Sequence, residues 1–251
     1  MGGGHAHVHT HRYADSSAVH RLPPQVKIVC AVAGVVCVVA TPREVYWAFG
    51  AYLALLLGVW ALAHIGVGWF ARRALIELPF VVLALALPFT GPADLGPFSR
   101  EGLLAGWNIV AKGTLGVLIS LTLAATTSPS DIVLGLRRLR APTLFTTIAT
   151  LMLRYVEVIA AEANRMRVAR LARGHDPRVL WQAAAVARGI GSLFIRSYER
   201  GERVHLAMLS RGWTGAMPDH ARVAVPVGVW LAGVFPAVLA AVVLASGLIL
   251  R

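Results

Sequence analysis

Two short runs hold the residue types best suited to docking, Ala172-Arg173-Gly174 and Ser210-Arg211-Gly212. Glycine accepts the left-handed backbone that closes a helix, and a cation just before it faces the negative end of the helix dipole. An arginine so placed leaves a rigid helix end as a planar fork of donors, able to enter a cleft and pair with carboxylates or carbonyls. Arg-Gly is also ordinary chemistry for stopping a helix. Two copies in one basic region put docking on an equal footing with that reading. A second candidate is the tail, where His5, His7, His9 and His11 alternate. Neutral imidazoles suit cobalt, nickel or zinc; a solvated, disordered tail is the competing reading. Asn108 and Lys112 fall in an apolar run, where polar groups are costly. They could face a partner subunit, snorkel, or pair within the chain.

Several chemistries are excluded. The chain has no Gly-x-x-x-x-Gly-Lys-Ser/Thr run, so any ATP must be hydrolysed elsewhere and no cofactor is expected on this chain. No paired carboxylates or His/Glu metal motif fall within an apolar run, which argues against an enzyme. The arginines are interleaved with long apolar faces and match no nucleic-acid-binding pattern, so nucleic acid is not an expected partner. Cys30 and Cys37 lie seven apart in one apolar run, about 10 Å of helical rise, beyond disulfide reach.

The elements that must position these residues are set by composition. Of 251 residues, 57% are hydrophobic and 14% charged, with a mean hydropathy of +0.66. A soluble domain carries roughly 25% charged residues. Long uncharged runs predict membrane-spanning helices at about 26–41, 45–63, 74–90, 103–127 and 223–250. Their continuity, without in/out alternation, favours helices over a barrel. The fold class is therefore an all-α integral membrane protein with about five spans, six if Thr143–Leu153 also inserts. Net charge is +12, and 14 of the 24 Lys and Arg lie between Arg137 and Arg211. Such a block stays in the cytoplasm. Arg72-Arg73 inside and the balanced Gly91–Glu101 connection outside then place the N-terminus inside. The expected division is a polar segment at 1–25, four spans at 26–127, a cytoplasmic basic helical region at 128–217 and a last span at 218–251, in a cell membrane.

Within the basic region, Asp131 is expected to cap a short helix running into Arg137, Arg138 and Arg140. Pro142 opens a second helix that becomes amphipathic beyond Arg154, with Tyr155, Val158, Ile159, Glu162 and Met166 on one stripe. It closes at Arg173-Gly174, and Asp176-Pro177 starts the next. That helix is expected to pair Glu199 with Arg203, to break near Gly189 and Gly191, and to close at Arg211-Gly212-Trp213.

Two stretches resemble a known family. The run from Arg154 to Gly174, containing Glu162-Ala163-Asn164-Arg165-Met166-Arg167, and the run from Gly191 through Ser197-Tyr198-Glu199-Arg200 to Ser210-Arg211-Gly212-Trp213-Thr214-Gly215 are similar to the coupling helices of the transmembrane coupling (T) component of energy-coupling factor (ECF) transporters, cobalt-type CbiQ-like branch. Leu22-Pro23-Pro24-Gln25-Val26-Lys27 is a weaker match to its N-terminal segment. The detailed likeness covers about a quarter of the chain. Ser210 departs from the family's more frequent Ala, and the His-rich tail is not a family feature.

The resemblance implies a non-catalytic subunit that bridges a substrate-binding membrane (S) subunit, here metal-specific, and two ABC-type ATPase subunits. Arg173 and Arg211 would each enter a groove of one ATPase, and ATP would be used by those partners. Cobalt or nickel is the implied cargo. A vitamin such as biotin is an alternative within the class, and a scaffold that binds anionic lipid without any ATPase is an alternative outside it.

Overall fold

The computed structural model describes residues 17, 19–63, 77–89, 99–174, 184–215 and 226–249. All regular structure there is helical. The order is α1 (Pro24–Ala40), α2 (Tyr46–Ala63), α3 (Leu78–Ala86) running into a 3₁₀ turn (Leu87–Phe89), α4 (Arg100–Thr126), α5 (Pro129–Arg138), α6 (Thr143–Ala172), α7 (Ala184–Leu209) and α8 (Val227–Ile249). The chain forms two compact units, residues 1–135 with 223–251, and residues 136–222.

The first unit has a buried apolar core around Phe49, Tyr52, Leu56, Trp60 and Leu115, yet it also turns many large apolar side chains outward. Leu53, Leu57, Leu62, Phe80, Leu85, Leu231 and Val242 face outward, whereas Gln25, Thr41, Ser99 and Thr126 are buried. Only an apolar surrounding favours that pattern. By length and composition α2, α4, α6 and α8 can cross a membrane; α1 and α3 are apolar but shorter. At 17 residues α1 spans about 26 Å, just under a hydrocarbon core of about 30 Å.

Lipid supplies no hydrophobic drive between helices, so their association relies on close backbone approach and on hydrogen bonds. Gly102 and Gly106 supply the first between α3 and α4, since a Cβ on Gly106 would lie 2.6 Å from the Ala84 carbonyl oxygen. Lysines supply the second. Lys27 Nζ donates to the carbonyls of Thr126 at 2.8 Å and His20 at 3.2 Å, and Lys112 Nζ donates to the Val39 carbonyl at 2.8 Å. Both Thr126 and Val39 lie in last helical turns, whose carbonyls lack intrahelical partners. Each lysine thus closes the end of the neighbouring helix and pins α1 to α4. Lys112 therefore pairs within the chain. The Asn108 Oδ1 is buried without a partner among the described residues.

Other sequence expectations resolve locally. Ser128, not Asp131, caps α5: its Oγ accepts from the Asp131 N–H at 3.1 Å and donates to Asp131 Oδ2 at 2.7 Å. Trp60 is a core residue, donating to Thr122 Oγ1 at 2.7 Å. Trp47 and Trp107 are exposed. His64, Trp69 and the Arg73–Glu77 pairing involve residues outside those described. An apolar cavity of about 320 Å³ lies among α1, α2, α4 and α8, with Lys27 in its wall.

Candidate functional site

The second unit is built on α6 and α7. The spacing Tyr155, Ile159, Glu162, Met166, Arg170 puts one residue per turn on a single stripe of α6, and these are the half-buried positions of that segment. Val158, expected on the stripe, is exposed. On α7, Gly189, Leu193, Ser197, Arg200 and Val204 form the matching half-buried stripe. The helix passes Gly189 and Gly191 without a break, because its flanking residues are good helix formers and a single glycine costs only about 1 kcal/mol.

Two contacts give the register. Glu162 Oε1 accepts from Arg196 Nη1 at 3.0 Å, and a Cβ on Gly189 would lie 3.6 Å from Met166 Cε. Moving forward along α6 from 162 to 166 is moving backward along α7 from 196 to 189. The helices therefore run antiparallel across their contact, and their C-terminal ends project to opposite sides. Those ends can be separated by on the order of 40 Å at a rise of 1.5 Å per residue.

Both ends carry the arginines singled out from the sequence. Helix α6 stops at Ala172; the Arg173 N–H is bonded to Arg170 O at 3.2 Å, and Gly174, at φ +75°, donates to Leu171 O at 2.9 Å. At the other end Gly212, at φ +78°, donates to Leu209 O at 2.9 Å and the Trp213 N–H donates to Met208 O at 3.0 Å. That bond pair is a Schellman motif, with Arg211 at the cap position. Ser210 Oγ donates to Leu206 O at 3.1 Å, so the serine satisfies itself on its own helix as alanine would not need to. The Trp213 ring stands edge-on to His205 at 5.8 Å, which folds the chain back along α7 and fixes the exit from the turn. Ala172, Arg173, Gly174, Ser210, Arg211 and Gly212 are all exposed, and neither Arg173 nor Arg211 has a carboxylate partner among the described residues.

Electrostatically the region has one structured acid. Glu162 Oε2 accepts from Arg165 Nη2 at 2.8 Å while Oε1 takes the bond from Arg196. Those hydrogen bonds hold the carboxyl below its usual range. Glu199 and Arg203 form no ion pair among the described residues. The link from Glu162 to Arg196 is the contact that the sequence reading missed. The two residues are 34 apart, and no local spacing could reveal it.

His5, His7, His9 and His11 lie outside the described residues, as does the Asp176-Pro177 start of the next helix. No cluster of three or more His, Cys, Asp or Glu able to hold a metal occurs among the described residues. Cys30 and Cys37 are free thiols.

Several helices long and apolar enough to cross a membrane, in a chain that also carries a pair of arginine-tipped helices, mark a multi-pass membrane protein. The family model described as CbiQ, cobalt transport protein, matches residues 15–222, and the chain belongs to that family. It is similar to the "Cobalt transport protein CbiQ" of Rhodobacter capsulatus, 30% identical over 168 residues, which covers 66% of this chain and 68% of the relative. It is also similar to the "Energy-coupling factor transporter transmembrane protein EcfT" of Acidaminococcus fermentans, 25% identical over 223 residues (81% of this chain, 82% of the relative). The protein of the same name from Bacillus subtilis is 26% identical over 222 residues (80% and 82%).

Proposed function

We propose that this chain is the transmembrane coupling subunit of an ECF-type importer, passing ATP-driven motion of an ATPase pair to a substrate-binding membrane subunit. The observation that carries the reading is the placement of Arg173 and Arg211. Two exposed guanidiniums, each on a closed helix end, project from opposite ends of one antiparallel pair. That geometry suits two separate partners better than a single cleft, which fits a pair of ATPases with one groove each. The names of the EcfT relatives point the same way.

The substrate-binding subunit has a candidate surface on α7. Ile190, Phe194, Ile195, Tyr198, Leu206 and Leu209 lie away from the α6 stripe and are exposed, Phe194 at 69%. An unpaired apolar face of that size beside a membrane suits another membrane protein. Cobalt or nickel is the proposed cargo, supported by the family description and by the Rhodobacter capsulatus relative. ATP is bound by the partners, the arginine-bearing region is cytoplasmic, and the chain itself catalyses nothing.

The test is co-expression with the ATPases encoded beside it, followed by purification and radiolabelled cobalt uptake in proteoliposomes. The expected outcome is a stoichiometric complex that takes up cobalt. Replacing Arg173 and Arg211 together by Ala should abolish uptake and weaken the complex while leaving membrane insertion intact. Uptake of a vitamin but not of metal would reassign the cargo. Salt-sensitive binding to anionic vesicles with no ATPase in the complex would replace the transport reading with a lipid scaffold.

A further inference from the structure

Helix α7 buries no residue completely, and α6 buries only Thr146 and Thr147, near its start. The arginine-bearing ends are therefore not oriented by a core. Among the described residues, what ties the two helices together where they cross is one carboxylate. Glu162 is 19% exposed, against 67% for Arg165 and 59% for Arg196, so the acid sits in the contact while the arginines reach in from its edges. Its two oxygens are used differently. Arg165 fixes the carboxylate on its own helix at i,i+3, which holds the plane of the group. Arg196 then meets a pre-set oxygen from the other helix at 3.0 Å. Beside it, Met166 rests over Gly189, a position with no side chain of its own to fix the angle. The apolar part of the contact can slide or rotate; the ion pair cannot without breaking.

We propose that Glu162 is a positioning residue, the pin that sets the crossing of α6 and α7 and with it the separation and direction of Arg173 and Arg211. The proposal deepens the coupling role above and takes its functional meaning from it, although the geometric claim stands without any ATPase. Leverage makes the pin matter. Arg211 lies 15 residues beyond Arg196, about 22 Å along the axis. A rotation of about 10° at the crossing displaces that tip by about 4 Å, more than the tolerance of a hydrogen bond. Two grooves on separate ATPases can be occupied together only if the tips are correctly spaced. A loose pin would let the ATPases close without moving the membrane unit.

The test separates this claim from the docking claim. Spin labels are placed on exposed Ala169 and Ala207 in the full chain, in nanodiscs, with Cys30 and Cys37 changed to Ser and no ATPase present, and the inter-label distance distribution is measured by pulsed electron resonance. The expected result is a narrow distribution that Glu162→Gln shifts or broadens by up to about 3 Å, and that a full charge swap, Glu162→Arg with Arg165→Glu and Arg196→Glu, narrows again. Arg173→Ala with Arg211→Ala should leave it unchanged. An unchanged distribution in Glu162→Gln, or failure of the charge swap to narrow it, overturns the proposal. In the ATPase-bound complex, Glu162→Gln should keep the ATPases bound and hydrolysing while cobalt uptake per ATP falls and the charge swap restores it. Equal uptake per ATP in Glu162→Gln and unchanged protein also overturns it. If unchanged protein binds no ATPase, the docking reading has failed, and the distance measurement still decides the pin.

Discussion

The two units of this chain solve the problem of holding helices together in opposite ways. The apolar unit uses backbone proximity: α3 lies on Gly102 and Gly106 of α4, Gly247 of α8 takes Val45, and Lys27 and Lys112 close neighbouring helix ends. Many of its large apolar side chains, Leu53, Phe80 and Leu231 among them, are left to the surroundings. The unit of α6 and α7 has no apolar core among its described residues, and it relies on the Glu162–Arg196 ion pair, Met166 over Gly189 and a shallow stripe. One unit is complete when lipid surrounds it. Under the proposed function the other is completed by partners that cover α7 and take the arginine ends. Elements of that second kind sit at the low-stability end of a protein, where moving parts are drawn from.

That contrast can be broken at graded cost. The largest effect should come from Arg173→Ala with Arg211→Ala, since truncating one partner of a buried charge pair at an interface costs about 2–5 kcal/mol. Affinity for the ATPase pair, measured by surface-immobilised binding, should collapse while the chain's own melting in detergent stays put. Gly106→Leu should do the reverse. Overpacking against the Ala84 carbonyl costs about 1–3 kcal/mol, lowering the melting temperature without changing ATPase affinity per folded molecule. Gly212→Ala is smaller and local: at φ +78° a Cβ costs about 1–2 kcal/mol, which should fray the end holding Arg211 and weaken binding by roughly tenfold. Gly212→Asn should recover part of it. Lys112→Met should be smallest, removing one interhelical bond worth about 0.6 kcal/mol, seen as a slight drop in melting temperature.

Acidity offers a gentler probe of the second unit alone. Glu162 titrates below its ordinary value because Arg165 and Arg196 stabilise the charged form. The tie it provides is complete above the ordinary glutamate pKa and is lost as the pH falls through the lowered one. The α6–α7 distance distribution should stay narrow at neutral pH and broaden only in that acidic range, and high salt should weaken the same tie because the pair is partly exposed.

Local chemistry was legible in the sequence and long-range chemistry was not. The two helix ends could be read because Arg-Gly acts within one turn, and both glycines do take left-handed φ values. The apolar runs revealed the helices because hydropathy needs no partner. Boundaries moved by a few residues where capping decided them. Ser99 starts α4 at Arg100 by accepting from the Gly102 N–H at 3.3 Å, three residues before the hydropathy rise at 103. Ser128 took the cap expected of Asp131, its hydroxyl bonding both the Asp131 N–H and the Asp131 carboxylate. The burial of Trp60 is likewise set by the fold, since α4 brings Thr122 within reach of its indole. The Glu162–Arg196 tie depends on the fold of a helical pair, and the tempting i,i+4 choice of Glu199 with Arg203 shows how spacing alone can mislead.

A structure of the chain bound to its ATPase pair tests the central claim most directly. Arg173 and Arg211 should each be enclosed by a groove of a different ATPase, with carboxylate or carbonyl oxygens within hydrogen-bond distance of the guanidinium. Finding both guanidiniums in solvent, with the ATPases contacting some other surface or absent, would contradict the account.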